Sequence, residues 1–255
     1  MEIIIAGYGF VGKAVASSIK EKNTIHIVDP AYTTDKIEHC LYADGVIISV
    51  GTPSTNDGDC DVSQIYNVMA EVPIHIPVLI KCTVRPDYLS KLLTDYPNHS
   101  ICYSPEFLRA ATANEDFANQ KFMVIGGDDP DGFWQTLFTE SLPNCKMYFN
   151  TSIVEASIIK YAVNCFLSTK VAFFNQLYDI CQASGAEYNL VRQVLTHDPR
   201  IGSSHMMVPG IDMSRGFGGA CFPKDTKAFI HYANDLNTPI TVLEEVVKYN
   251  EKIRK

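Results

Sequence analysis

The chain has 255 residues, of which 46% are hydrophobic, so it can bury a large core in one big domain or two smaller ones. Its formal net charge of -8 indicates an acidic surface, which argues against nonspecific binding to nucleic acids or membranes. An acidic protein can still bind an anionic small ligand, because a few local N–H groups suffice to hold a phosphate.

The eight cysteines form no CxxC pair, and no histidine cluster has the spacing of a zinc site, so we expect no metal. Several cysteines lie in or beside apolar runs, where a free cysteine behaves as a small hydrophobic residue. We therefore expect a reducing, cytoplasmic environment. Met1 leads directly into a predicted strand rather than a signal peptide, and no apolar run is long enough to span a bilayer.

The first 150 residues alternate short apolar runs with helical patterns, which is typical of a parallel sheet with crossover helices. We predict an α/β, Rossmann-type domain over residues 1–150. Five runs are predicted as strands: Ile3–Ala6, Ile25–Val28, Gly45–Val50, Pro77–Ile80 and Phe122–Ile125.

The pattern changes at Thr151, after which no glycine or proline occurs up to about Ser184. Apolar residues at helical spacing predict one long helix there, ending near Gly185. We predict an all-helical central domain over residues 151–255. Its other predicted elements are a helix at Val191–Leu195, a loop over 198–220, and helices from Pro223 onward with a break near Pro239.

A glycine-rich turn follows the first predicted strand and opens a helix. The first glycine allows the tight turn, the second lets a pyrophosphate approach the backbone, and the third packs helix on strand. Asp29 ends the second strand at about the expected ~20 residues, where an acid suits a ribose 2′-hydroxyl and repels a 2′-phosphate. We therefore predict that this turn binds NAD, in preference to the alternative of a glycine-rich turn without a ligand. The turn consists of Gly7, Tyr8, Gly9, Phe10, Val11 and Gly12.

Cys221 follows a glycine-rich stretch and directly precedes a helix that Pro223 is suited to start. The positive helix end, with Lys224 beside it, is expected to lower the pKa of the thiol. Asp225 lies four residues on and is placed to orient a water or a lysine. A buried structural cysteine is the alternative, but the glycines and the helix start favour a reactive thiol.

Lys160 and Asn164 are four residues apart on the long helix, so they share a face. The helix around them is apolar, and an unpaired buried charge is costly. A lysine and an amide pointed at a substrate oxygen would stabilise developing negative charge. A solvated lysine with an incidental asparagine fits this pair equally well.

Taken in order, these motifs and several others resemble the UDP-glucose/GDP-mannose dehydrogenase family along nearly the whole chain. The segments that bear the resemblance are Gly7–Gly12, Val50–Pro53, Gly58 with Asp61 and Ser63, Lys81–Val84, Ser104–Arg109, Lys160–Asn164, Asp198–Gly202 and Gly216–Asp225.

The resemblance implies NAD-dependent, four-electron oxidation of a nucleotide sugar, with UDP-glucose as the expected substrate and GDP-mannose or UDP-N-acetylmannosamine as alternatives. It implies that Cys221 captures an aldehyde as a thiohemiacetal, which is oxidised to a thioester and hydrolysed. A covalent thiolate intermediate of this kind splits one difficult reaction into easier steps. A homodimer through the long helix and a role in polysaccharide biosynthesis are further implications.

The resemblance also implies roles for individual residues. Lys160 and Asn164 would hold the oxyanion, and Asp225 would position water or Lys160, with Glu106 and Thr83 around that water. Arg200 would reach the substrate of a neighbouring subunit. The further cofactor-binding residues would be Asp29, Gly51, Thr52, Pro53, Thr83 and Lys224 beside the glycine turn, and the further substrate-binding residues Glu106, Phe107, Leu108, Arg109, Phe217 and Gly218.

Two departures from the family pattern keep other interpretations open. Ala110 stands where the family usually has an acid, and the chain stops at Lys255, where the family leads on into a third lobe. That lobe could be naturally missing, supplied by a second polypeptide, or cut away. A truncated module that binds NAD and dimerises without turnover is one alternative. A simpler hydroxyacid dehydrogenase is another, although its single-step oxidation needs no thiol.

Overall fold

The computed structural model describes residues 1–39, 42–56 and 58–254, without the side chain of His39. The chain divides into two compact units, of which the first contains residues 1–55 and 60–160. The second contains residues 56–59 and the chain from Tyr161 onward. The two units therefore divide inside the long helix. The domain boundary after residue 150 stays a prediction.

Within the described residues of the first unit, seven strands form one sheet in the order β2-β1-β3-β4-β5-β6-β7. The strands are β1 Glu2–Ala6, β2 Thr24–Val28, β3 Gly45–Ile48, β4 Val78–Ile80, β5 Ile101–Tyr103, β6 Phe122–Gly127 and β7 Met147–Thr151. The helices are α1 Phe10–Ile19, α2 Ser63–Met69, α3 Pro86–Asp95, α4 Ala113–Ala118, α5 Phe133–Ser141 and the first turns of α6, Ile153–Ser184.

Both faces of the central strands are buried, which explains their continuous apolar runs. Ile4 belongs to a core on one face of the sheet, whereas Ile3 and Ile5 belong to a core on the other. Strands that are covered on both sides need apolar residues at every position rather than at alternate ones. This confirms the predicted Rossmann-type fold.

The sheet differs from the prediction at one edge. β6 runs antiparallel to β5, so the sheet is mostly rather than wholly parallel. β5 has only three residues and was not predicted as a strand. β7 was also missed, because it is an edge strand with exposed and half-buried residues and lacks an apolar run. The third predicted strand ends at Ile48 instead of Val50.

The described part of the second unit is helical. After the rest of α6 it contains α7 Tyr188–Leu195, α8 Phe222–Asp235 and α9 Thr241–Ile253. Phe174, Cys181, Tyr188 and Met206 form a small buried core, in which the Tyr188 hydroxyl donates to the Met206 carbonyl at 2.7 Å. The predicted long helix, the long loop before α8 and the break near Pro239 are all present.

Among the described residues, no helix is both long enough and apolar enough to cross a membrane.

Gly185 follows α6 with a φ of 72°, and a Cβ at this position would meet nothing within 4 Å. Gly185→Ala therefore tests the left-handed backbone conformation without a clash. We expect it to lower the free energy of unfolding by about 1 kcal/mol. Gly185→Asn should lose less, because asparagine tolerates this conformation better. Urea titration followed by circular dichroism compares the three proteins, and equal stability of Ala and Gly would contradict the expectation.

Candidate active site

The glycine-rich turn after β1 is packed directly against the end of β3. A Cβ on Gly7, whose φ is 91°, would lie 2.7 Å from the backbone of Ser49 and Val50. A Cβ on Gly12 would overlap the Gly7 carbonyl, and the Ser49 hydroxyl donates to that carbonyl at 2.8 Å. These two positions therefore require glycine, as the motif predicts.

Gly9 has the opposite environment, because a Cβ there would meet nothing within 4 Å. It is the N-cap residue of α1, and no described side chain caps that helix end. An open helix N-terminus offers N–H groups and a positive dipole end to an anion. The turn therefore fits the pyrophosphate of a dinucleotide.

The Asp29 carboxylate is held beside this turn by backbone donors. It accepts the Tyr8 N–H at 2.6 Å and the Ala31 N–H at 2.9 Å. Lys13 adds a feature that the sequence analysis missed: its ammonium donates to the Tyr32 hydroxyl at 2.7 Å and lies 4.5 Å from that ring centre. Asp29 is thus placed at the end of β2, next to the anion site, where a ribose acid is expected.

The ends of β3 and β4 contribute to the same sheet edge. β1, β3 and β4 run parallel, so their carboxyl ends lie side by side. The Thr52 hydroxyl donates to the Thr83 carbonyl at 2.9 Å, while Gly51 and Pro53 are exposed beside it. The structure therefore groups these four predicted cofactor residues at the edge where α/β proteins bind ligands.

Lys160 and Glu106 form a buried ion pair in the first unit. The Lys160 ammonium donates to the Glu106 carboxylate at 2.9 Å and to the Glu106 carbonyl at 2.6 Å. The two side chains are only 4% and 7% exposed. The other Glu106 oxygen accepts the Leu108 N–H at 2.7 Å, and the Phe107 ring centre lies 5.7 Å from the ammonium. Lys160 is therefore not a solvated lysine.

Lys81 is a second buried lysine, which the sequence analysis did not include among the site residues. Its ammonium donates to the Ser104 carbonyl at 3.0 Å and to the Ser104 hydroxyl at 3.2 Å. Burial lowers the pKa of Lys81 to about 8; nearby Glu106 acts to raise it and Lys160 to lower it. The sequence signal that could have identified Lys81 is its position directly after the apolar residues of β4.

In the second unit, Cys221 is the N-cap residue of α8 and Pro223 lies in the first turn. The Asp225 N–H donates to the Cys221 carbonyl at 2.8 Å, which starts the helix. Of the seven cysteines that the structure describes, six are buried whereas Cys221 is half-buried. For comparison, burial raises the pKa of Cys165 to about 12.

Asp225 is buried at 1% exposure and takes two charged or polar partners. The Asn164 amide donates to it at 2.5 Å, and the Lys224 ammonium pairs with it at 2.7 Å. Asp225 therefore orients the Asn164 amide and holds Lys224, and its expected role in positioning water or Lys160 stays a prediction.

The remaining predicted substrate residues have varied environments. Arg109 is 71% exposed and forms a bidentate ion pair with Asp116, and Arg109 lowers the pKa of that carboxyl to about 2. Arg200 is 87% exposed and pairs with Asp198. Phe217 is buried in the second unit.

Comparison with known proteins gives matches along most of the chain. Residues 29–138 match the NAD binding domain of the UDP-glucose/GDP-mannose dehydrogenase family, and residues 154–252 match that family's central domain. UDP-glucose 6-dehydrogenases of Rickettsia typhi and Bacillus subtilis are 31% and 34% identical over 82% of this chain. These matches confirm the predicted family and its NAD cofactor.

The chain spans about half the length of the curated relatives it matches, 49% and 48% for these two proteins. The solved UDP-glucose dehydrogenase of Pyrobaculum islandicum has a TM-score of 0.85 at 24% identity, over 98% of this chain and 68% of that one. A 3-hydroxyisobutyrate dehydrogenase of Mycobacterium tuberculosis has a TM-score of 0.75 at 13% identity, over 98% and 92%. Both likenesses establish the fold alone.

Removing the charge of only one partner of the Lys160–Glu106 ion pair should lower the free energy of unfolding strongly. Glu106→Gln leaves a buried ammonium without its counter-charge, and we expect it to lower the free energy of unfolding by about 3–5 kcal/mol. The double variant Lys160→Met/Glu106→Gln should lose less than the sum of the single losses. Denaturant titration of all four proteins measures the coupling. Lys91→Met, which removes an exposed ion pair, is the control and should cost under about 1 kcal/mol. If the losses of the Lys160→Met and Glu106→Gln single variants add up to that of the double variant, the two residues are not coupled.

Lys81 should give stability an alkaline pH dependence. Its folded pKa of about 8 lies below the unfolded value of about 10.4, so between these values the unfolded chain binds the extra proton. Burial of the charged Lys81 side chain therefore lowers the free energy of unfolding fully below pH 8, and this destabilisation is relieved as the pH rises. The stability of Lys81→Met relative to wild type should therefore fall by on the order of 3 kcal/mol from pH 8 to 10.5. Lys91→Met should show no such trend; parallel curves for Lys81→Met and wild type would disprove the effect.

Proposed function

Because the chain belongs to the UDP-glucose/GDP-mannose dehydrogenase family, we propose that it provides the NAD-binding and thiol-bearing part of a nucleotide-sugar dehydrogenase. The proposed reaction oxidises the 6-hydroxyl of UDP-glucose to a carboxylate; GDP-mannose and UDP-N-acetylmannosamine are the alternative substrates. One observation supports the proposal most: Cys221, the half-buried member of seven described cysteines, caps the N-terminus of α8. This is where a thiolate is stabilised.

We propose that NAD binds at the glycine turn, with its phosphates at the N-terminus of α1 and a ribose hydroxyl on Asp29. The open backbone at Gly9 and the fixed carboxylate of Asp29 support this position. When bound, NAD would supply the hydride acceptor for both oxidations, that of the alcohol to the aldehyde and that of the thiohemiacetal to the thioester. Gly51, Thr52, Pro53 and Thr83 extend the proposed cofactor site along the sheet edge, and Lys224 is a further proposed cofactor-binding residue.

Cys221 supplies the covalent step of the proposed reaction. Its thiolate adds to the carbonyl carbon of the aldehyde, a C–S bond forms, and the carbonyl oxygen becomes the alkoxide of a thiohemiacetal. Oxidation of that carbon gives a thioester. Water then adds to the thioester and the C–S bond breaks, which releases the carboxylate and returns the thiol.

Buried polar side chains serve the oxyanion and the water in this proposal. Lys160 and Asn164, one turn apart on α6, stabilise the negative oxygen, while Glu106 and Thr83 hold the hydrolytic water. The ion pair holds the Lys160 ammonium at a fixed position, and Asp225 fixes the amide of Asn164. Preorganised donors of this kind need no rearrangement as charge develops.

We further propose a homodimer through α6 and a cytoplasmic location. Phe166, Phe173 and Ile180 recur at seven-residue intervals on this helix and are 66%, 58% and 62% exposed. Such a stripe is typical of a helix that packs against a partner helix. The free thiols of the described cysteines support a reducing compartment.

A module that binds NAD without turnover is the second candidate function. Ala110, which stands where the family usually has an acid, favours it. Calorimetry separates the two candidates. NAD binding without measurable UDP-glucose binding would support the module, whereas clear affinity for UDP-glucose would remove it.

The oxidation proposal predicts two NADH per UDP-glucose. With excess NAD and limiting UDP-glucose, NADH absorbance should reach twice the sugar concentration, and Cys221→Ser should produce no carboxylate. Cys181→Ala, which alters a buried thiol in the core of the second unit, is the matched control and should stay active. One NADH per sugar, or full activity of Cys221→Ser, would refute the thioester route.

A further inference from the structure

The loop that leads to Cys221 is held by side chains of two helices instead of by a neighbouring strand. Its backbone polar groups at Arg215, Gly216 and Phe217 bond to side chains of α6 and of the C-terminal helix region. Backbone groups that are buried outside regular structure need such partners. The loop is therefore anchored at defined points.

Asn250 of α9 provides the most specific of these anchors. Its amide oxygen accepts the Phe217 N–H at 2.7 Å, and its amide nitrogen donates to the Phe217 carbonyl at 3.0 Å. Asn250 is 6% exposed, and both halves of its amide serve one residue of the loop. Alanine would remove both bonds, while aspartate would keep the acceptor and place a carboxylate beside the Phe217 carbonyl.

Arg254 and Asn175 are the other two anchors. We call Asn175, Asn250 and Arg254 together the loop clamp. Arg254 donates to the Gly216 carbonyl at 3.3 Å and to the Arg215 carbonyl at 3.4 Å, and it also pairs with Asp212. Asn175 of α6 accepts the Gly216 N–H at 3.2 Å. The clamp thus fixes three consecutive residues.

The clamp ends where the loop becomes open. At Gly218 a Cβ would overlap the Arg254 guanidinium, so this position is packed against the clamp. At Gly219, with a φ of 76°, a Cβ would meet nothing within 4 Å. Two residues later the chain reaches Cys221 and the start of α8. The backbone is therefore rigidly held on one side of a short open segment and helical on the other.

We propose that Asn250 is a positioning residue for Cys221: by fixing the Phe217 backbone, it holds the glycine segment so that the thiol stays at the N-terminus of α8. The residue does not touch the thiol and acts through the loop. This inference rests on the proposed function only for its consequence in catalysis, because thiol reactivity can be measured without substrate.

The test is the pH dependence of Cys221 alkylation by iodoacetamide in the full chain, followed peptide by peptide with mass spectrometry. In the wild type, Cys221 should react at least about tenfold faster than buried Cys165 and Cys181, which serve as internal references. In Asn250→Ala we expect the Cys221 rate at neutral pH to fall about fivefold and its pH midpoint to rise. A mobile loop lets the thiol leave the positive helix end, so thiolate is less favoured.

Glu251→Ala is the matched control, since Glu251 is the next residue of α9 and only pairs with Lys227 at the surface. It should leave the Cys221 profile unchanged. Asn250→Asp should move the midpoint in the same direction as alanine. If Asn250→Ala does not give a cooperative melt, Arg254→Met tests the same clamp and should also raise the midpoint.

An unchanged Cys221 midpoint in a folded Asn250→Ala protein would overturn the proposal, as would an equal shift in Glu251→Ala. A gain in reactivity of the buried reference cysteines without a shift at Cys221 would indicate general loosening and also overturn it. If the wild type makes no NADH but the midpoint shifts as expected, the oxidation fails and the clamp stands. If it does turn over, Asn250→Ala should lower kcat about tenfold with the KM for NAD within about twofold.

Discussion

The need to neutralise buried charge fixes polar side chains in both halves of the chain. Lys160 lies in an apolar environment, and the Glu106 carboxylate and carbonyl compensate its charge. In the second unit, Asp225 is similarly compensated by Lys224 and the Asn164 amide. A buried group that lost its partner would be expelled or neutralised. Fixed side-chain positions in each half are therefore a direct result of burial, before any ligand binds.

The two units hold their polar groups in place by different structural means. In the first unit, the carboxyl ends of parallel strands bring glycine, threonine and acid side chains to one edge of the sheet. In the second unit no described strand does this, so side-chain amides such as Asn250 take over the role of backbone pairing. The two devices yield a dinucleotide turn and a thiol loop on a single chain.

Most of the fold could be predicted from the sequence, because buried central strands and a long helix free of glycine and proline leave clear patterns. The edge strand β7 left no such pattern, since exposure removes the selection for apolar residues. The position of Cys221 at the start of a helix could be predicted from the glycine and proline residues around it. Asn250 could not, because it lies among charged residues on an ordinary amphipathic helix and its partner is 33 residues away.

The partial exposure of Cys221, on which its proposed covalent role depends, also makes it the described cysteine most open to peroxide and other electrophiles. A thiol that is stabilised as thiolate reacts with peroxide to a sulfenic acid, which blocks the sulfur reversibly. The other six described thiols are shielded by burial. Among the described cysteines, oxidants would therefore act first on the sulfur of Cys221.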